Sequence, residues 1–235
     1  MYLLSSILLL NGMVGTFDSL PLLLASFRVV CVSPSGAGNI GMVARACANF
    51  ECPVLALVAP AYERNLEEMK SQERRFATQE AGSRVLHDVV EYDSLEAALN
   101  GCDAAIGFTR RRGVSRSASA NQVEVSEIAK LAAQQSSRRG HVALVFGREA
   151  DGLRSSELLQ CTHSCEIATS AQHGSMNLAA AVTFALGRTF EEALQLEAAS
   201  AEGPRRQLGA DTTSKNARRL GSNRLGSGES ASTSS

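Results

Sequence analysis

The sequence predicts an α/β fold, a mostly parallel sheet with helices on both faces. Two observations carry this. Short runs rich in valine, leucine and isoleucine recur along the chain, and each is apolar throughout rather than alternating, as in strands buried on both sides. Between them lie stretches whose apolar residues recur at three- and four-residue spacing, as in amphipathic helices. Strand and helix alternating in this way build parallel sheets.

The 235 residues suffice for one domain of usual size with tails, and 44% of them are hydrophobic, so most of the chain can bury a core. The net charge of -1 excludes a global positive field. Any contact with nucleic acid must therefore rest on local patches. Cys31, Cys47, Cys52, Cys102, Cys161 and Cys165 form no CxxC pair and sit mostly in apolar runs. They read as reduced thiols, not as a disulfide framework.

Taken in order, residues 1–27 form an extension with two short apolar runs. Asn11, Gly12 and Asp18 interrupt them, so they are too short to span a bilayer. No lysine or arginine precedes Arg28, and both an organelle-targeting leader and an untargeted extension stay open. The protein is expected in the cytoplasm, or in a mitochondrion or plastid if this segment is a transit peptide. Arg28 to Val32 is a β-branched strand closed by Ser33-Pro34-Ser35-Gly36. Asn39 to Phe50 is a helix with Ile40, Val43, Cys47 and Phe50 on one face and Arg45 roughly opposite. Val54 to Val58 is a second strand. Residues 62–80 are charged and helical, with Met69 and Phe76 among the few anchors. Val85-Leu86 and Val89-Val90 suggest a short strand, and Ser94 caps a short helix through Leu99. Ala104 to Phe108 is the next strand.

A loop rich in arginine follows, with Arg110, Arg111, Arg112 and Arg116 among glycine and serine. Val123 to Gln134 is helix and His141 to Phe146 a strand. Glu157 to Gln160 makes a helical turn, and Cys165 to Ala168 a last short strand. Asn177 to Leu196 is a strongly apolar helix. Residues 199–235 lack a hydrophobic period and read as disordered, so the globular domain spans 28–198. In such sheets ligands sit beyond the carboxyl ends of the strands. The loops after Val32, Phe108, Phe146 and Ile167 are the candidate site.

Several short motifs compete for that site. Gly36-Ala37-Gly38-Asn39-Ile40-Gly41 is a literal GxGxxG, and Glu63 stands about where a ribose-binding acid would. Yet Ser33-Pro34-Ser35 separates the strand from the first glycine, where the dinucleotide fingerprint needs direct contact. Cys161, His163 and Cys165 could ligate a metal, but no partner pair is visible, and no metal is expected. His173-Gly174-Ser175 lacks the elbow of a serine hydrolase and reads as a polar turn, with Ser175 capping the helix that follows.

Three segments are more specific together than apart. Asn39-Ile40-Gly41-Met42-Val43-Ala44-Arg45, Phe146-Gly147-Arg148-Glu149-Ala150-Asp151-Gly152-Leu153 and Ser175-Met176-Asn177-Leu178-Ala179-Ala180-Ala181-Val182 resemble, in order and spacing, the three motifs of the SpoU/TrmH family of RNA 2′-O-ribose methyltransferases. That family belongs to the SPOUT superfamily. The wording Leu144 to Glu149 and the segment Ala81 to Leu99 look most like its TrmJ branch, which methylates tRNA in the anticodon loop. The resemblance covers about residues 28–195.

It implies a Rossmann-like sheet whose C-terminal part is tucked into a trefoil knot, acting as a homodimer on RNA. S-adenosyl-L-methionine would be held by Phe108, Thr109, Arg110, Gly147, Ile167, Ser175, Met176 and Asn177. Glycine at 147 would let that ligand approach the backbone. The family's catalytic positions fall on Asn39, Arg45, Glu149, Ser175 and Asn177, with Arg45, Arg111, Arg112 and Arg116 as RNA contacts. The implied activity is 2′-O-methylation of RNA, tRNA before ribosomal RNA. A catalytically inactive RNA-binding homologue and a NAD-dependent oxidoreductase are the rival readings. The family carries a tyrosine–glutamate pair where this chain has Gly187-Arg188, in the helix that helps pair subunits.

Overall fold

The computed structural model describes residues 26–62, 67–77, 80–110, 121–135, 141–172 and 174–201. Six strands form one sheet: β1 (Phe27–Val32), β2 (Val54–Val58), β3 (Val90–Tyr92), β4 (Cys102–Phe108), β5 (His141–Phe146) and β6 (His163–Cys165). Their order is β3-β2-β1-β5-β4-β6, and every pairing is parallel. The helices are α1 (Ala37–Asn49), α2 (Glu67–Ala77), α3 (Glu80–His87), α4 (Leu95–Leu99), α5 (Ile128–Gln135), α6 (Ser155–Leu158) and α7 (Leu178–Ala201), with one 3-10 turn at Val125–Glu127.

The strands are buried on both faces, as their unbroken apolar runs require. Along β1, Phe27, Val29 and Cys31 enter one cluster with Ile40, Val43 and Cys47 of α1 and with Val182 and Leu186 of α7. Val30 and Val32 point the other way, to Leu95 and Ala98 of α4 and Leu158 of α6. Each fully buried valine or isoleucine contributes roughly 1.5–3 kcal/mol.

The second face of α1 is also packed. A Cβ on Gly41 would lie 2.3 Å from the Glu73 carbonyl oxygen, and one on Gly38 would lie 3.0 Å from the Phe76 ring. Glycine at these positions lets α2 lie directly on α1. At Gly82 a Cβ would come within 3.3 Å of the Arg45 Cα, so α3 crosses further along the same stripe. The GxGxxG pattern is thus used for helix-on-helix approach. The Arg45 side chain is exposed, as expected from its place opposite Ile40, Val43 and Cys47.

Several boundaries differ from expectation. Val85 and Leu86 belong to α3, and only Val90–Tyr92 pairs with β2. A two-residue apolar step fits a helix face as well as a strand, and here it packs against the core from the helix. The last strand is His163–Cys165, two residues earlier than Cys165–Ala168, and Ile167 lies beyond it. Helix begins at Val125 as a 3-10 turn, where the Glu124 and Glu127 side chains form a capping box. The described elements run from β1, starting at Phe27, to α7, ending at Ala201. The remainder of the N-terminal extension, Glu63, Arg111, Arg112, Arg116, His173 and the tail beyond 201 lie outside the described residues.

Candidate active site

The sheet order sets β1, β5, β4 and β6 side by side, so the four loops leaving them converge on one rim. After β5 the chain folds back on itself. Arg148 and Gly152 bridge antiparallel, with N–H to O distances of 3.2 and 2.9 Å. Gly152 takes a φ of 69°, which glycine adopts without strain. A Cβ on Gly147 would stand 2.1 Å from the Gly152 carbonyl carbon and 2.2 Å from the Leu153 nitrogen. The expected reason for that glycine therefore needs correcting: its missing side chain admits the chain's own loop, before any ligand.

Glu149, in the middle of this loop, reaches across to the loop after β1. Its Oε1 accepts from the Gly36 N–H at 3.1 Å and from the Asn39 Nδ2 at 3.1 Å. Its Oε2 accepts from the Ser35 N–H and Oγ, both at 3.1 Å. Burial alone would raise the Glu149 pKa, but the Asn39 amide and these backbone donors outweigh it and hold the carboxyl below its ordinary value. The group is a carboxylate with its lone pairs already engaged. The Asn39 Oδ1 in turn accepts from the Asn177 Nδ2 at 2.9 Å. The Asn177 Oδ1 accepts from the N–H groups of Ala179 and Ala180, at 2.9 and 3.3 Å. Asn177, rather than Ser175, is thus the cap of α7. A chain of hydrogen bonds links Glu149, Asn39 and Asn177, one residue from each of the three motifs.

Arg148 faces away from this network. Its guanidinium makes a two-pronged contact with Glu157 of α6, at 3.0 and 2.8 Å, and its Nη2 also donates to Ser33 Oγ at 3.4 Å. Glu157 Oε2 accepts from the Arg154 N–H at 2.7 Å, which closes the first turn of α6. Sequence reasoning passed over this pair. The signal was available, since a glutamate three residues into a short helix is the second half of a capping box.

Between these loops lies a cavity of about 210 Å³. Phe108, Thr109, Arg110, Gly147, Ile167, Ser175 and Met176, seven of the eight positions expected to hold a cofactor, line it. Asn177, the eighth, stands beside it in the hydrogen-bond chain. The rings of Phe108 and Phe146 also line the cavity and stack at 4.4 Å with an interplanar angle of 8°. The polar lining carries both signs of charge, Arg110 and Arg148 against Glu149 and Asp151. Such a space suits a ligand with a flat apolar part and a zwitterionic end.

Not every expected residue converges. Arg45 does not line the cavity. It stands six residues beyond Asn39, about 9 Å along the helix axis. Cys161 and Cys165 are buried in different clusters on opposite faces of the sheet and cannot share a metal with His163. Burial pushes both thiols up to about 12, which leaves them protonated. Gly187, where the motif family has tyrosine, admits the Phe50 ring, whose Cζ would be 3.2 Å from a Cβ there. Arg188 pairs with Glu191 and Glu192 of its own helix. Among the described residues no helix is long and apolar enough to cross a membrane.

A model of the SpoU rRNA Methylase family matches residues 26–187. The tRNA (cytidine/uridine-2′-O-)-methyltransferase TrmJ of Photorhabdus laumondii is 35% identical over 160 residues, which are 68% of this chain and 62% of that protein. The tRNA (cytidine/uridine/adenosine-2′-O-)-methyltransferase TrmJ of Pseudomonas aeruginosa is 35% identical over 160 residues, 68% of this chain and 58% of its own length. The chain thus spans about three fifths of the length of the curated relatives it matches. Among solved structures, a probable methylase family protein from Haemophilus influenzae superposes with a TM-score of 0.65 and 26% identity, covering 77% of this chain and 72% of that one.

Proposed function

The chain belongs to the SpoU rRNA methylase family, and we propose that it transfers a methyl group from S-adenosylmethionine to a ribose 2′-hydroxyl of tRNA, in the anticodon loop. The observation that carries this is the hydrogen-bond chain Glu149–Asn39–Asn177, which draws three distant motifs to the mouth of one cavity. Relatives 35% identical over 160 residues are TrmJ tRNA methyltransferases.

The cavity fits the cofactor by its chemistry. The stacked Phe108 and Phe146 rings offer an apolar wall to an adenine, while Asp151 and Arg110 offer both charges to the cationic and carboxylate ends. When bound, S-adenosylmethionine supplies an electrophilic methyl group. The chain's own task is to present a ribose hydroxyl, which is a poor nucleophile until polarised. Glu149 is an orienting group: it is ionised and committed to donors, and it fixes which face of Asn39 meets Asn177. A guanidinium is too weakly acidic to act as a general base in a protein, so Arg45 is given another task. Its role is to hold the substrate phosphate and to stabilise charge developing on the ribose oxygen. Ser175 lines the cavity beside the cap of α7 and completes the site. Alignment of the hydroxyl supplies most of the gain.

Arg111, Arg112 and Arg116, with Arg45, are assigned to the RNA backbone. We assign a homodimer through α7, where Phe184 and Leu194 are exposed, and the family's C-terminal trefoil knot to residues 28–198. Six unpaired cysteines suit a reducing compartment, the cytoplasm or an organelle that residues 1–27 would specify.

The test is transfer of a labelled methyl group from S-adenosylmethionine to tRNA transcripts lacking modifications, with the product mapped to a 2′-oxygen. Labelling of ribosomal RNA alone would replace the substrate. A melting temperature raised by NAD and not by S-adenosylmethionine would overturn the reading.

A further inference from the structure

We propose that the exposed ring of Phe76 is a stacking platform for a nucleobase of the RNA substrate beside the target ribose. The proposal rests on the reading of the chain as an RNA methyltransferase. Phe76 is held from below: its Cβ would lie 3.0 Å from a Cβ on Gly41, and its ring edge 3.0 Å from one on Gly38. Both positions on α1 lack a side chain, so Phe76 lies close against the helix backbone. Even so, 41% of the residue stays open to solvent. An aromatic ring seated on a helix backbone and open above is what an unpaired base stacks on.

Its position fits the same role. Gly38 is the immediate neighbour of Asn39, which belongs to the hydrogen-bond chain of the site. The stripe Gly38, Gly41, Arg45 then runs along α1 from the ring to the exposed arginine assigned to phosphate. Basic residues stand on the same helix. Arg74 and Arg75 precede it and are exposed. The acidic side chain of that turn, Glu73, is turned inward, 2% exposed, and accepts from the Tyr62 hydroxyl at 2.7 Å. Stacking of this kind tolerates any base, so the platform would fix the strand's path and not its sequence.

The experiment compares the full chain with Phe76→Leu, Phe76→Ala and Phe76→Trp on the unmodified tRNA transcripts described above. Leucine keeps apolar bulk against Gly38 and Gly41 but has no aromatic face. Phe76→Leu and Phe76→Ala are expected to raise the Kd and KM for tRNA about tenfold, the scale of one lost base stack. Turnover at saturating tRNA and affinity for S-adenosylmethionine should stay within about twofold. Phe76→Trp should bind at least as well as the wild type. A leucine variant with wild-type KM, or a tryptophan variant as weak as leucine, overturns the platform while methylation by the wild type leaves the enzyme reading intact. Loss of self-association by Phe76→Leu in sedimentation also overturns it, since the ring would then pack against a second copy. If the wild-type chain neither binds nor methylates RNA, the function falls, and the platform falls with it.

Discussion

Glu149 and Glu157 lie eight residues apart and share the same chemistry, yet they serve different ends. Each is a partly buried carboxylate, and in each the donors around it outweigh burial and keep the pKa low. The difference is where the donors come from. Glu157 takes Arg148 and the Arg154 N–H from its own loop. Glu149 takes Ser35, Gly36 and Asn39 from more than a hundred residues away. Glu157 shapes a loop, whereas Glu149 joins that loop to a helix and so assembles a site. Identical functional groups become local braces or long-range ties according to the span of their contacts.

Substitution should separate the two. The largest effects belong to the site. Arg45→Ala should lower turnover on tRNA a hundredfold or more, the scale of losing one preorganised donor, and change stability by no more than about 0.5 kcal/mol. Arg45→Lys should rescue little, because an ammonium lacks the planar fork. Near wild-type methylation by either would remove Arg45 from the mechanism. Glu149→Gln sets an amide NH2 against the donors of Ser35 and Gly36. Turnover should fall several tens of fold through misplacement of Asn39, with a stability loss of about 1 kcal/mol. If it destabilised the fold as much as a Glu157 variant without touching turnover, the contrast would be gone.

Glu157→Gln should do the reverse. It leaves Arg148 in a half-buried place without its carboxylate, at about 2 kcal/mol, which thermal melting would register as a drop of several degrees. Turnover measured well below the melting temperature should change only a few-fold. Gly147→Ala belongs with it, since a Cβ there meets backbone atoms of Gly152 and Leu153. It should cost about 1–3 kcal/mol and weaken S-adenosylmethionine binding together with stability. A variant that lost the cofactor at unchanged stability would restore the view that Gly147 faces the ligand alone.

The smallest effect is on acid stability. Both carboxyls have folded pKa values below the ordinary 4.5, so the folded state binds fewer protons than the unfolded one. The stability they add is complete above about pH 4.5 and is lost as pH falls through the lower folded values. Glu149→Gln and Glu157→Gln should each flatten part of that acid slope in denaturant titrations. A slope unchanged in both would show that other groups set it.

Much of this was legible in sequence. The runs Arg28–Val32, Val54–Val58, Ala104–Phe108 and His141–Phe146 are long and apolar enough to read as buried strands, and Ser94 does cap α4, its Oγ accepting from the Ala97 N–H at 3.2 Å. The loops after Val32, Phe108, Phe146 and Ile167 could be named as a candidate site because parallel sheets leave one productive rim. What escaped was decided by tertiary contact. Val85-Leu86 is too short for periodicity to separate helix from strand. The second packed face of α1 depends on what α2 and α3 bring to Gly41 and Gly82. Gly147 was given a ligand for a neighbour because the fold-back of its own loop leaves no pattern in the sequence. Arg148 was overlooked between two motif residues, though its partner nine residues on carried a capping signature.

The sheet order has a consequence in time. β1 pairs on one side with β5, and the Glu149 contact to Ser35 spans 114 residues of chain. Contacts of such separation make folding slow, because a long loop must close before any pairing rewards it. During synthesis one edge of β1 therefore waits bare until β5 emerges, with β2 able to protect only the other. The site is the last thing to exist: its two halves, on either side of that seam, meet only when the centre of the sheet closes.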